Sequence, residues 1–515
     1  MASFLNKVVD KLLGKDSEHE VPNRELLRFS TGIAGQNLSY CLVSGWVFYF
    51  CTNVLYLDVL LVGTVISLSR IWDAINDPLV GSIIDKHTFK NGEKLRPYLK
   101  LLPIPIGLCA LVLFSDLGMP KTDMLIFIVI VYFLYDFMYS FQDIAQWGMT
   151  SVMATTSKER SRMAQIGRIA GMVGSWLPGL IPIILGNKDK IGLTERNIFL
   201  ILGVLFGFGG MLLSMFGHSA KERVAVKKVE GNPFSALKLV FQNKLVMLIV
   251  ISQLLNAVTL SLESLYFFKY LVRFNLFGTE IDGMTSNFIF GLVTGIPGAV
   301  AIFFTVWFSK KIGGMKNILI LTAVSNIVCR IAAYAVGFNG VSIIIVIVLL
   351  GLSSIPSNMQ GTAMTALWGD SLDFIEWKTG QRNEASVFAM QNMISKLTNA
   401  IRIFFAGVTL SLLSYNAEVF DAGQIAGTFS EFAWPVFILA PALGSLFSLM
   451  PLLFIKHNKQ QQEKVEAELK IRRLIASGAL PATLENKVAA GLAPRAKSRS
   501  LAVRLRRAAA GEPDE

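Results

Sequence analysis

The stretch RIWDAINDPLVG places Asp73 and Asp77 four residues apart, with Asn76 between them, inside a run of membrane-spanning apolarity. Four residues are about one helical turn, so the two carboxylates share a face. A charge at mid-bilayer costs about 2.5–3.5 kcal/mol on insertion scales, so such a pair needs a reason. Two carboxylates and an amide oxygen are hard ligands for a small cation. They could equally hold a proton, because close carboxylates resist ionising together. A third reading is structural: Arg70 neutralises one aspartate and the cluster only stabilises helix packing. Pro78 follows directly and is expected to bend this helix.

A second pair lies further on. Asp143 and Trp147 are also four apart. An indole can stack on the C–H face of a sugar while the carboxylate takes hydroxyl hydrogen bonds; a tryptophan alone more commonly packs or anchors at an interface. Asp136 lies on the same segment without an evident partner. Arg168 and Lys396 are cations inside apolar runs, and Asp73, Asp77 and Asp143 are available to face them. That leaves one negative charge in excess, which a bound cation would balance. Lys396 is too deep in its run to snorkel comfortably to the interface. Glu263, Lys269, Arg330 and Arg402 also lie in or near apolar runs and receive no role.

These groups must be positioned by membrane helices. The chain has 515 residues, is 53% hydrophobic and only 16% charged, with a mean hydropathy of +0.53. Soluble domains carry about 25% charge. Composition therefore excludes a soluble enzyme, a disordered protein and a nucleic-acid-binding domain. Twelve spans of the required length are expected at 32–57, 59–84, 99–117, 123–152, 163–186, 196–217, 245–272, 284–309, 317–336, 341–367, 385–414 and 432–455. Cys41, Cys51, Cys109 and Cys329 all lie in apolar runs, without metal-ligand spacing, and read as small buried residues.

Basic residues concentrate in alternate loops: Lys86 to Lys100 after span 2, Lys158 to Arg162 after span 4, the central loop, and Lys310 to Lys316 after span 8. The positive-inside bias then puts both termini in the cytoplasm. The expected division is a cytoplasmic N-terminal segment (1–30), a six-helix bundle (31–217), a central cytoplasmic loop (218–244), a second bundle (245–455) and a tail (456–515). The N-terminal segment does not read as a secretory signal. The net charge is +12, and the tail supplies half of it with 13 Lys and Arg against 7 Asp and Glu. It is expected to be partly helical or disordered, and adhesion to anionic lipid headgroups is its functional reading.

Over roughly residues 25–455 the sequence resembles the glycoside–pentoside–hexuronide:cation symporters, a branch of the major facilitator superfamily. RIWDAINDPLVGSIIDKHTFKNGEKLRPYL and GDSLDFIEWKTGQRNEASVFAMQNMISK carry the likeness. It implies an all-α polytopic membrane protein with twelve transmembrane helices in two six-helix bundles, working by alternating access. It implies a cation site at Asp73, Asn76, Asp77 and Ser140, taking Na+, with Li+ or H+ also possible. It implies substrate contacts at Asp143, Trp147, Arg168, Gln391, Asn392 and Lys396, the lysine linking the two sites. Asn37 stands where galactoside carriers of the branch have an aspartate, which puts melibiose-type specificity in doubt and favours an anionic sugar. Asp85 and Arg96, and Asp370, Asp373 and Arg382, read as gating latches between the bundles.

The expected function is symport of a sugar with Na+ or H+ across the cell membrane by a monomer, with no cofactor and no nucleic-acid partner. A competing reading within transport is a carrier of lysolipid-like or other non-sugar solutes. A membrane-embedded enzyme is a third, but no phosphate loop, zinc-ligand cluster or nucleophile constellation is present. The four histidines, at 19, 87, 218 and 457, are scattered and none is deep in a span.

Overall fold

A computed structural model describes residues 19–223, 243–276, 279–379 and 384–455, together with positions 465, 468 and 469. The chain runs through twelve spans. Span 1 is Asn23–Tyr49, continued by a wider turn at Phe50–Val54; span 2 is Val59–Lys86; span 3 is Tyr98–Leu101 and Pro103–Leu113; span 4 is Lys121–Val152. Span 5 is Ser157–Trp176 extended through Gly186, and span 6 runs from Glu195 to Ser219. The second half has span 7 as Lys244–Ala257 and Ser264–Leu271, then Gly283–Ile312, Met315–Val336, Ser342–Thr379, Glu384–Leu412 and Gly427–Leu453. One short antiparallel hairpin, Phe274–Leu276 with Thr279–Ile281, sits between spans 7 and 8.

Nine of these helices among the described residues are long and apolar enough to cross a membrane. Spans 3 and 7 miss that measure because each is interrupted, and span 1 carries polar positions such as Gln36 and Asn37. Span 1 begins at Asn23, nine residues before its expected start. Span 2 continues as helix through Pro78. Several spans start on a side-chain cap: Asp58 accepts from the Leu61 N–H at 2.9 Å, and Asp282 from that of Thr285 at 2.7 Å. Span 8 ends on Gly313 at φ 91°, a left-handed position that favours glycine. Large apolar side chains face outward around the molecule, Phe303 being 84% exposed. A lipid surround accounts for that pattern.

The two ends of the molecule differ. At the end bearing the loops after the odd-numbered spans, one apolar cluster joins both halves, from Phe50 and Phe199 to Tyr266, Phe267 and Trp434. At the opposite end each half keeps its own cluster: Phe29, Val80 and Met149 in the first, Leu319, Leu367 and Trp368 in the second. The structure is therefore closed at the first end and parted at the second. Polar bonds reinforce the closure. Asn53 donates to the hydroxyls of Tyr415 at 2.7 Å and Tyr270 at 3.0 Å. Thr52 meets Tyr266 at 3.1 Å, and the Lys269 ammonium donates to the Tyr49 hydroxyl at 3.0 Å.

Candidate cation and substrate site

Span 2 packs along span 11 and so brings the two halves together at the site. Near the closed end the helices touch backbone to backbone: a Cβ on Gly63 would lie 3.1 Å from the Gly407 Cα. Toward the parted end, Asp77 projects across this seam. Its carboxylate receives the Lys396 ammonium through one oxygen and the Ser140 hydroxyl, at 3.0 Å, through the other. Spans 2, 4 and 11 thus meet on one side chain. Asp77 and Lys396 are each about one-third exposed, so the pair faces an opening rather than a sealed core.

Asp73, one turn away, is buried and takes Arg70 at 3.4 Å through one oxygen. Among the described residues its other oxygen has no partner, and neither has the buried amide nitrogen of Asn76. The Arg70 guanidinium also lies over the Tyr40 ring, 5.8 Å from its centroid. Asp136, without a partner in the sequence, is held by the Ser69 hydroxyl. Span 4 therefore presents Asp136, Ser140, Asp143 and Trp147 as one stripe at helical spacing. That spacing is the signal that could have assigned Asp136 to the same polar core. Two carboxylates, an amide and a hydroxyl fit a small hard cation chemically.

Asp143 is reached by Gln36, whose amide donates to it at 2.9 Å and to the Tyr139 hydroxyl at 3.2 Å. Trp147 lies beside the same carboxylate. Gln36 is fully buried, and the sequence pattern does not mark it. Only helical phase separates it from Asn37, which instead donates to the Ile33 carbonyl of its own helix at 2.9 Å.

The remaining expected positions are more dispersed. Arg168 is exposed and makes no hydrogen bond or ion pair to another described residue. Gln391 donates to Thr365 at 3.3 Å, joining spans 10 and 11 within one half. Asn392, beside it, is exposed. In this state, parted at that end, Arg96 pairs within its own half, with Glu93 at 2.6 Å, and donates to the His218 carbonyl at 2.8 Å. The reason is local, since the Glu222 carboxylate collects the backbone N–H groups of Lys94, Leu95 and Arg96 at 2.7–3.1 Å and draws this loop onto the end of span 6. Asp370 and Asp373 are half-buried near the parted end of span 10. The Asp85 side chain and Arg382 lie outside the described residues, as does nearly all of the tail.

Comparison with known proteins identifies the family. A family profile described as MFS/sugar transport protein matches residues 28–459. The isoprimeverose transporter of Lactiplantibacillus pentosus is 25% identical over 450 residues, 85% of this chain and 90% of that protein. The raffinose carrier protein of Pediococcus pentosaceus is 24% identical, over 86% of this chain and 71% of its own. Among solved structures, a D-xylose-proton symporter superposes with a TM-score of 0.53 at 13% identity, covering 82% of this chain and 96% of that one, which speaks to the fold alone. The chain is a multi-pass membrane transporter and not an enzyme. It belongs to the MFS/sugar transport protein family, in the glycoside–pentoside–hexuronide branch of the major facilitator superfamily.

Proposed function

We propose that the protein is a cation-coupled sugar symporter. The observation that carries this is the junction at Asp77, where a carboxylate of one half is held by Lys396 of the other and by Ser140. Na+ is the coupling ion that two carboxylates, an amide and a hydroxyl suit best; Li+ or H+ would use the same groups. A cation entering at Asp73, Asn76, Asp77 and Ser140 competes with the Lys396 ammonium for the Asp77 carboxylate. Freed from it, Lys396 is available to a substrate held at Asp143 and Trp147. Cation and sugar then raise each other's affinity by the same factor, as linkage requires. Only the empty or doubly loaded carrier moves between the two faces.

The sugar is a glycoside, pentoside or hexuronide, bound on the span 4 stripe with Gln36 orienting Asp143. Arg168 is exposed on span 5, available to a substrate's acidic group. The protein acts as a monomer in the cell membrane with both termini cytoplasmic. On that orientation the closed end faces outward and the described state is open to the cytoplasm. The basic tail rests on anionic headgroups.

Uptake into membrane vesicles tests this. Labelled glycosides, pentosides and hexuronides are offered with and without an inward sodium or proton gradient. Gradient-driven accumulation of one sugar class is expected. If no sugar moves under either gradient, the proposal falls.

A further inference from the structure

Away from this junction, the second half lines a partly open cavity of about 300 Å³ between spans 7, 9, 10, 11 and 12. That is at the small end of the range of small-molecule sites, about 300–1,000 Å³. Arg330 and Arg402 both line it, and among the described residues its lining includes no aspartate or glutamate. Two guanidiniums facing one hollow inside a membrane bundle, without an acid, leave their charge uncompensated.

Part of Arg330 has a structural duty. Pro441 interrupts span 12 and has no N–H to give the carbonyl one turn back. The Arg330 Nη1 supplies that bond, donating to the Phe437 carbonyl at 3.0 Å. Its Nε is buried and has no partner among the described residues. Arg402 makes no hydrogen bond or ion pair to another described residue. Asn256 and Gln360 also border the hollow with uncommitted amides, whereas Asn326 is bonded to Ser357 at 3.1 Å.

We propose that this cavity is a binding site for a small polyhydroxylated oxyanion, a carboxylate or phosphate carried on a hydroxylated solute. The guanidiniums match a planar or tetrahedral oxyanion with charge-assisted hydrogen bonds; the Asn256 and Gln360 amides match the solute's hydroxyl groups, and lining hydroxyls such as those of Thr322 and Ser445, which donate to backbone carbonyls, keep lone pairs to accept from them. The wall is too polar, and the volume too small, to seat a lipid's acyl chains. The site is separate from the Asp77 junction and depends on no part of the symport reading.

The test uses the purified full chain in phosphatidylcholine nanodiscs in sodium-free buffer, which keeps it independent of the coupling cation. Equilibrium binding of labelled D-gluconate is measured beside its neutral analogue D-sorbitol, with inorganic phosphate as competitor. Saturable gluconate binding that phosphate displaces is expected, with sorbitol at least tenfold weaker. Arg402→Gln should weaken gluconate at least tenfold, and Arg402→Lys should restore part of it. Arg402 carries no hydrogen bond that folding would miss, whereas Arg330→Gln would also uncap the Phe437 carbonyl, so Arg402 is the decisive position. Absence of saturable gluconate binding in the wild type, or equal affinity in Arg402→Gln, overturns the proposal.

Discussion

Lys396 of span 11 and Asp77 of span 2 form an ion pair that joins the two halves of the molecule at the level of the buried aspartates. A charge pair of this kind is most revealing when one member is removed. Truncating one partner of a buried, hydrogen-bonded pair costs about 2–5 kcal/mol, much of it from the charge left behind; with both groups one-third exposed, the low end applies. Asp77→Asn is therefore expected to cut gradient-driven sugar accumulation at least tenfold, while a downhill leak of the same sugar survives. Vesicle uptake with matched and collapsed gradients measures both. Accumulation at the wild-type level in the variant would remove Asp77 from the coupling site.

The closed end predicts a conformational effect. A Cβ on Gly407 would stand 3.1 Å from the Val59 carbonyl oxygen and 3.3 Å from the Gly63 Cα. Both are tighter than most Cβ contacts, so the facing backbone must give by a few tenths of an ångström, and overpacking of this kind costs about 1–3 kcal/mol. Gly407→Val should therefore disfavour closure and open that end more of the time. Cys51 reports it, being wholly buried in the apolar cluster there. With the other three cysteines changed to serine, maleimide should label Cys51 roughly tenfold faster in Gly407→Val. Equal labelling rates would mean that the helices separate without regard to this contact.

Gln36 and Asn37 are neighbours with opposite expected sensitivities. Gln36 holds Asp143 from within the core, and its removal leaves a buried carboxylate oxygen without a donor, a loss of about 1–3 kcal/mol. Asn37 returns its amide to its own helix. Gln36→Leu should raise the half-saturating sugar concentration roughly tenfold or more, and Asn37→Ala less than about threefold. Concentration-dependent uptake decides it. The reverse ranking would restore Asn37 as the sugar contact.

That pair also marks how far sequence carried. Spacing alone put Asp73 with Asp77 and Asp143 with Trp147, because residues four apart must share a helical face. It could not decide that Asp77, not Asp73, takes the lysine: that depends on how span 11 crosses span 2, a contact between residues 319 positions apart. It placed twelve spans well but expected span 1 to start later, because RELLRF is charged and lies outside the apolar run although it is good helix. The resemblance of the span 2–3 loop to a superfamily loop marks Arg96 for gating but does not name its partners in this state. The acid that organises the loop is Glu222, at the far end of span 6, and nothing local in the sequence points from one to the other.

At the parted end, Glu20 offers a pH-dependent contact outside the membrane. Its carboxylate accepts from the Thr155 N–H at 2.8 Å, the Thr155 hydroxyl at 3.0 Å and the Thr156 N–H at 3.3 Å. The Thr155 backbone bond is the main reason the carboxyl is held below the ordinary glutamate range; desolvation opposes it, and the Thr155 hydroxyl, Thr156 and the Arg223 charge add to it. A depressed value means that the contact stabilises the docked form fully above the ordinary glutamate range, and that this contribution is lost as pH falls through the depressed value. Amide exchange at Thr155 and Thr156, corrected for intrinsic rates, should thus show protection at neutral pH that disappears only in acid. Glu20→Gln should lack that acid step, because a neutral amide cannot titrate. Protection with the same acid step in Glu20→Gln would assign the transition to another group, and the Glu159 carboxyl, paired with His19 at 2.7 Å and Arg162 at 3.1 Å, would be the next to change.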